Sequence, residues 1–412
     1  MKAIYEKLKV IIEKHTKLCV IFIFLFAVLF YGIIASRMTN AMFLKNDEEL
    51  YVNMARAFFF EHNFSRGYEI INYSCVLYPI IISVAYFLYS PENITFLMRM
   101  IGIMLVVSSI FPAYLLSKEI LKSKTRAMII AAITVILPEM ISGMYLIQEN
   151  LSYPLFLWLS YFTYAKLQRK DEKTTKQDIT IIILFVLLFF TKSYTIVFPM
   201  AYFLFSFVEA VRDKKYKSIR KIIIQGLIFA ILVLLGLLAI YAINNFSEGT
   251  NHYETQIFSI FPIDIPKIAS FMYGIFCYIV FSLFSMGILP VMIPLTKLKY
   301  YKDEDKKFIK LITLEAIFAI VEVSAIVFIP EEGGKLFPSK VCFRYLAIFF
   351  IPYLLMFFKC PKEQLKINKA TIITYLIILI YLTMYYTMAD NRRSTVIDRL
   401  FFDNIRIIRF DI

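Results

Sequence analysis

Of 412 residues, 60% are hydrophobic and only 18% are charged, with 41 Phe and 28 Tyr; no soluble domain of this size could cover that much apolar surface, so the composition describes a polytopic membrane protein. The net charge of +14 argues against nucleic acid once its distribution is read. About two thirds of the Lys and Arg fall in the short stretches 1–17, 118–126, 166–176, 212–221, 297–310 and 359–369, each between apolar runs, which is the positive-inside pattern of cytoplasmic loops.

The first apolar run, Leu18 to Ser36, is long and has no small-residue cleavage site after it. It predicts a retained span with a cytoplasmic N-terminus. Past it comes Asn46-Asp47-Glu48-Glu49-Leu50-Tyr51, three consecutive carboxylates in a basic, apolar chain. Leu50, Tyr51, Met54 and Phe58 recur at helical spacing, so residues 48–61 predict a helix with acids at its N-terminus, where the dipole favours them. The apolar stretch 77–89 is only about a dozen residues long, the length of an interfacial or re-entrant helix. Parity agrees, because counting it as a span would put every later basic stretch outside. Residues 37–95 therefore predict one long extracytoplasmic loop between spans 18–36 and 96–116.

Further spans are predicted at 127–145, 150–165, 178–191, 194–210, 222–243, 268–296, 308–329, 345–358 and 370–388, eleven in all. The pair 178–210 must be a hairpin with Lys192, in FFTKSY, at its outer turn. The tail 389–412 is expected outside, in an all-α chain with no internal repeat and no separate soluble domain. The five cysteines are scattered and odd in number, which suits neither a disulfide framework nor a metal knuckle.

Several outer-side residues admit two readings. Asp47, Glu48 and Glu49 fit a hydrated helix start as well as a catalytic cluster. Glu149, in LIQENLSYP, fits a first-turn acid. Lys192 can snorkel to water, and Arg344 can anchor at the interface. Glu315 and Glu322 lie seven residues apart inside a predicted span, where charges are costly and usually functional. His252, in TNHYETQ, suits a loop better than a ligand set, although it lies on the outer side.

The order of these features is more specific than any one. NDEELYVNMARAFFF, then CVLYPIIISVAYFLY, then FLMRMIG, resembles the first outer loop of membrane glycosyltransferases with the GT-C fold. The nearest group is the polyprenyl-phosphate-sugar-dependent one that contains protein O-mannosyltransferases and lipid A aminoarabinose transferases. In that group an Asp-Glu pair and a Tyr open the loop, matched by Asp47, Glu48 and Tyr51. An Arg near the second span is matched by Arg99, a second acid by Glu149, a lysine by Lys192 and a late Arg-Tyr pair by Arg344-Tyr345. One proline, after Tyr78, stands where relatives often have two, and the second acid is Glu where many have Asp.

The resemblance implies a single GT-C-like transmembrane domain over residues 1–412, working at the outer face of the cell membrane. It implies a polyprenyl-phosphate-linked sugar as donor and an envelope lipid, glycan or protein as acceptor. Asp47 would be the base, with Glu48 and Glu149 orienting the acceptor. Lys192, Arg344 and Arg99 would bind the donor phosphate. Tyr51, Arg56, Tyr78 and Tyr345 would support the loop and substrates. An optional divalent metal ion would draw on Asp47, Glu48, Glu149 and His252. The rivals are a lipid or glycan transporter using Glu315 and Glu322, a polysaccharide polymerase and a non-enzymatic anchor.

Overall fold

The computed structural model describes residues 10–38, 45–67, 69–88, 90–137, 143–169, 176–246, 263–328, 345–365 and 369–388. The predicted tail 389–412, Arg344 and His252 lie outside them. The described residues form an all-α membrane protein of fifteen α-helices, with one two-residue β-hairpin. Five helical segments are long and apolar enough to cross a bilayer: Thr16–Ser36, Asn93–Leu121, Ser193–Arg212, Tyr216–Ile243 and Ile265–Met286. The chain divides into two compact units. One holds the described residues up to Ser193 and those within Arg220–Thr250; the other holds those of Tyr194–Ile219 and 251–406.

In the first unit, α1 (Thr16–Ser36) buries Val20, Ala27, Tyr31 and Ala35 while Phe22, Phe26, Leu29 and Ile33 stay exposed. A helix that is apolar all round is made for lipid. The Tyr31 hydroxyl donates to the carbonyl of Val135 at 2.6 Å. α2 (Lys45–Glu61) is followed by β1 (Ser65–Arg66) and β2 (Glu69–Ile70), antiparallel with Arg66 opposite Glu69. α3 (Leu77–Ser83) continues into a 3-10 turn, Val84–Phe87. α4 (Pro91–Val107) opens with proline, whose missing N–H no helix needs there. α5 (Ile110–Leu121) follows so closely that Asn93–Leu121 is one apolar rod of 29 residues.

α6 (Lys124–Thr134) starts at Ser123, whose Oγ accepts the Arg126 N–H. Of the span predicted at 127–145, the described part is helical from its start to Thr134, and residues 143–148 are turn and irregular chain. That segment is buried, so its backbone needs partners; side chains of Glu48 and Asn150 supply some of them. α7 (Glu149–Leu167) and α8 (Lys176–Thr191) follow. Buried Asp178 on α8 is bridged by Lys166 of α7 at 2.7 Å and by Lys221 at 3.0 Å.

Beyond α9 (Val197–Arg212), α10 (Tyr216–Ile243) returns to the first unit from Arg220 onward. Leu227, Ile231, Leu234 and Leu238 on α10 are exposed, as lipid contact requires. Just past its end, buried Asn244 accepts the Phe64 N–H at 2.8 Å and donates to Ile71 O and Asn72 Oδ1. It ties the β1–β2 hairpin to the end of a long helix.

The second unit contains α9, α11 (Ile265–Met286), α12 (Ile288–Thr296), α13 (Asp303–Val323), α14 (Phe350–Lys359) and α15 (Lys369–Met388). The span predicted at 268–296 is broken at Gly287, whose φ of 80° favours glycine. Lys307 on α13 bridges Asp303 at 3.0 Å and Glu209 of α9 at 3.6 Å. Tyr301 donates to Met356 O at 2.7 Å. α13 ends in a π-helical turn, Ser324–Phe328.

Candidate functional site

The acidic motif opens α2, with Asp47 and Glu48 in its first turn. The helix turns Tyr51, Met54 and Ala55 inward, and Glu48, one turn before Tyr51, goes with them and is only 1% exposed. Asp47 sits half-buried at the edge of that face. Glu49 faces outward and pairs with Arg66 of the hairpin at 3.2 Å.

A carboxylate buried as deeply as Glu48 needs donors and a countercharge. Its Oε1 accepts the Leu146 N–H at 2.9 Å. Arg99 of α4, 2% exposed, lies within electrostatic reach of Glu48 and Tyr145. Glu48 is therefore a loop-organising carboxylate, holding the irregular segment before α7 against α2.

Tyr78 of α3 stands at the centre of this region, fully buried. Its ring meets Tyr51 edge-on at 6.1 Å, and its hydroxyl accepts the Asn150 amide at 3.4 Å. Burial pushes this phenol well above its ordinary pKa, with Glu48 and Glu149 adding to the rise. Asn150 also donates to Tyr145 O at 2.7 Å and Gly143 O at 3.4 Å. Gly102 of α4 makes this approach possible. A Cβ there would lie 2.7 Å from the Asn150 amide nitrogen and 3.3 Å from the Tyr78 oxygen.

Lys192 follows the last residue of α8, 4% exposed, and forms an ion pair with Glu149 in the first turn of α7. The next residue, Ser193, donates its N–H to Cys75 Sγ at 3.0 Å, and burial raises the Cys75 thiol pKa. Gln148 donates to the Cys75 carbonyl at 3.1 Å. The segment between α2 and α3, the start of α7 and the end of α8 thus meet at one place. The oxygens Gln148 Oε1 and Asn150 Oδ1 are buried and accept no hydrogen bond among the described residues.

Of the predicted site residues, Glu48, Tyr51, Tyr78, Arg99, Glu149 and Lys192 are brought together in the first unit, with Asp47 next to Glu48. Arg56 is exposed on α2, beside Tyr86 rather than in the cluster. Tyr345 belongs to the second unit, where Tyr194 donates to its carbonyl at 3.2 Å and the two rings lie 5.4 Å apart. Residues missed from sequence are Cys75, Gly102, Gln148 and Asn150. The polar run Gln148-Glu149-Asn150 interrupting an apolar stretch was the available signal.

A divalent metal fits these residues poorly. Glu149 is engaged by Lys192 and Glu48 by the Leu146 amide. Among the described residues no three His, Cys, Asp or Glu side chains converge as a ligand set. Compared with known protein families and with curated proteins, the chain matches none.

Proposed function

We propose that the chain is a membrane glycosyltransferase of the GT-C kind, moving a sugar from a polyprenyl phosphate to an envelope lipid, glycan or protein. This reading includes the finer topology of eleven spans, a cytoplasmic N-terminus, an extracytoplasmic C-terminus and an outer catalytic loop at 37–95. The observation that carries it is the gathering of Glu48, Tyr78, Arg99, Glu149 and Lys192, from five helices or helix ends, into one buried polar cluster of a membrane protein. Polar and charged groups at such depth are costly and mark functional sites. Gln148 Oε1 and Asn150 Oδ1 offer acceptors that sugar hydroxyls can satisfy.

In this reading Asp47, the less buried acid of the motif, takes the proton of the acceptor hydroxyl as its oxygen attacks the anomeric carbon. The bond from that carbon to the phosphate oxygen breaks with inversion. The leaving phosphate needs charge stabilisation rather than a proton, which Lys192 supplies, held by Glu149. Glu48 and Arg99 keep the floor of the site in place. Transfer from a synthetic polyprenyl-phosphate sugar tests the assignment. Asp47→Asn should lower turnover by at least about a hundredfold with donor binding retained, and Glu49→Gln should stay near the parent. Parent-level transfer by Asp47→Asn removes the base.

One observation favours a transporter instead. Glu315 of α13 is 4% exposed, and Glu322, two turns further, has a buried Oε2 with no hydrogen-bond partner among the described residues, just before the π-helical turn. Carboxyls in such a setting suit ion or proton movement. Under that reading Glu315→Gln or Glu322→Gln abolishes function while Asp47→Asn is tolerated.

A further inference from the structure

Away from the acidic cluster, an open-sided groove of about 360 Å³ runs along the start of α1, with Ile11, His15, Leu18, Phe22, Ile23 and Met128 among its walls. Its lining surface is apolar. Leu18 is 64% and Phe22 69% exposed, so lipid chains reach this wall as they do the rest of α1, and what sets the groove apart is the charge at its end. The floor is firm, because Val20, Ile110, Tyr114, Ala127 and Met128 pack beneath it as one cluster.

One end of the groove is basic. Lys124 lies one turn before Met128 on the same face of α6, and its Nζ donates to the Glu13 carbonyl at 3.4 Å, bringing it against the chain that leads into α1. Lys14, Lys17 and Arg126 are exposed around that end. Of the nearby acids, Glu119 is engaged by Lys122 at 2.8 Å and Glu13 is exposed. An apolar trough leading from a lysine cluster has the two halves of an anionic lipid's chemistry: chain and phosphate. A zwitterionic headgroup would bring an ammonium to the same lysines and lose the advantage.

We propose that this groove binds an acyl chain of an anionic phospholipid, with the lipid phosphate held by Lys14, Lys17 and Lys124. The chain's single tryptophan makes a direct test practical. Trp158→Phe removes it, and Phe22→Trp places a reporter in the groove. A control reporter, Leu234→Trp, sits on the exposed face of α10, where Leu234 is 57% exposed. Each protein is reconstituted in phosphatidylcholine vesicles containing a minor fraction of brominated-chain phosphatidylglycerol or brominated-chain phosphatidylcholine. At position 22 the anionic lipid should quench preferentially, by roughly fivefold for each basic residue engaged. That preference should fall to the control level when Lys14→Gln, Lys17→Gln and Lys124→Gln are added together. Equal quenching by the two lipids at position 22, or the same anionic excess at position 234, overturns the proposal, and neither comparison depends on the lysine variants folding.

Discussion

Glu48 and Asp47 are neighbours in sequence with different surroundings. Glu48 is sealed among Leu146, Arg99 and Tyr78, whereas Asp47 remains half-exposed at the edge. Removing the charge at Glu48 leaves Arg99 buried beside a neutral amide, and breaking a buried charge pair on one side costs about 3 kcal/mol or more. Glu48→Gln should accordingly lower the thermal unfolding midpoint in detergent. Adding Arg99→Met should recover part of the loss, because the buried charge that faced Glu48 is removed as well. A Glu48→Gln protein with the parent midpoint but no transfer would instead move Glu48 into the chemistry. Lys192 illustrates the same rule. It is as buried as Glu48's neighbours, and Glu149 is what keeps its charge tolerable there.

The helix starts and ends position these groups. α2 brings two acids in with its first turn, α7 begins at Glu149, and α8 stops at Thr191 so that Lys192 and Ser193 turn toward Cys75 and Glu149. The packing of α4 on α7 depends on Gly102, where a Cβ would fall 2.7 Å from Asn150 and 3.1 Å from the Gly143 carbonyl. Gly102→Ala should therefore destabilise despite the better helix propensity of alanine, by about 1–3 kcal/mol as an overpacking change. Thermal unfolding measures it, and a more stable variant would show that Asn150 has room to withdraw. Asn244 does similar work for the hairpin, since the Phe64 amide it accepts from is buried and otherwise needs a new partner.

At the scale of the molecule, the described residues form an all-α membrane protein whose five long apolar segments and exposed leucine-rich faces need lipid around them. The proposed orientation makes a simple prediction about its two sides. Glu69→Cys, in the hairpin of the outer loop, should react in intact cells with a membrane-impermeant thiol reagent. Lys122→Cys, between α5 and α6, should react only after the membrane is opened. Both positions are exposed in the fold, so access depends on sidedness alone. Labelling of Lys122→Cys in intact cells reverses the orientation and removes the outer-face reading of Asp47.

Helix 45–61, the short helix after Tyr78's preceding loop and the turn at Lys192 were legible in the residues, because helical spacing, run length and a lone charge between apolar runs are local signals. The residues could not show that 143–148, inside the span predicted at 127–145, are turn and irregular chain, since that segment is held by nearby Asn150 and by distant Glu48. Nor could they show that Glu149 and Lys192, 43 positions apart, would neutralise each other. Composition and period set which segments seek lipid and which acids begin helices. Which charges are buried, and against what, depends on contacts between distant segments, and burial is what turns an ordinary carboxylate into a structural or chemical group.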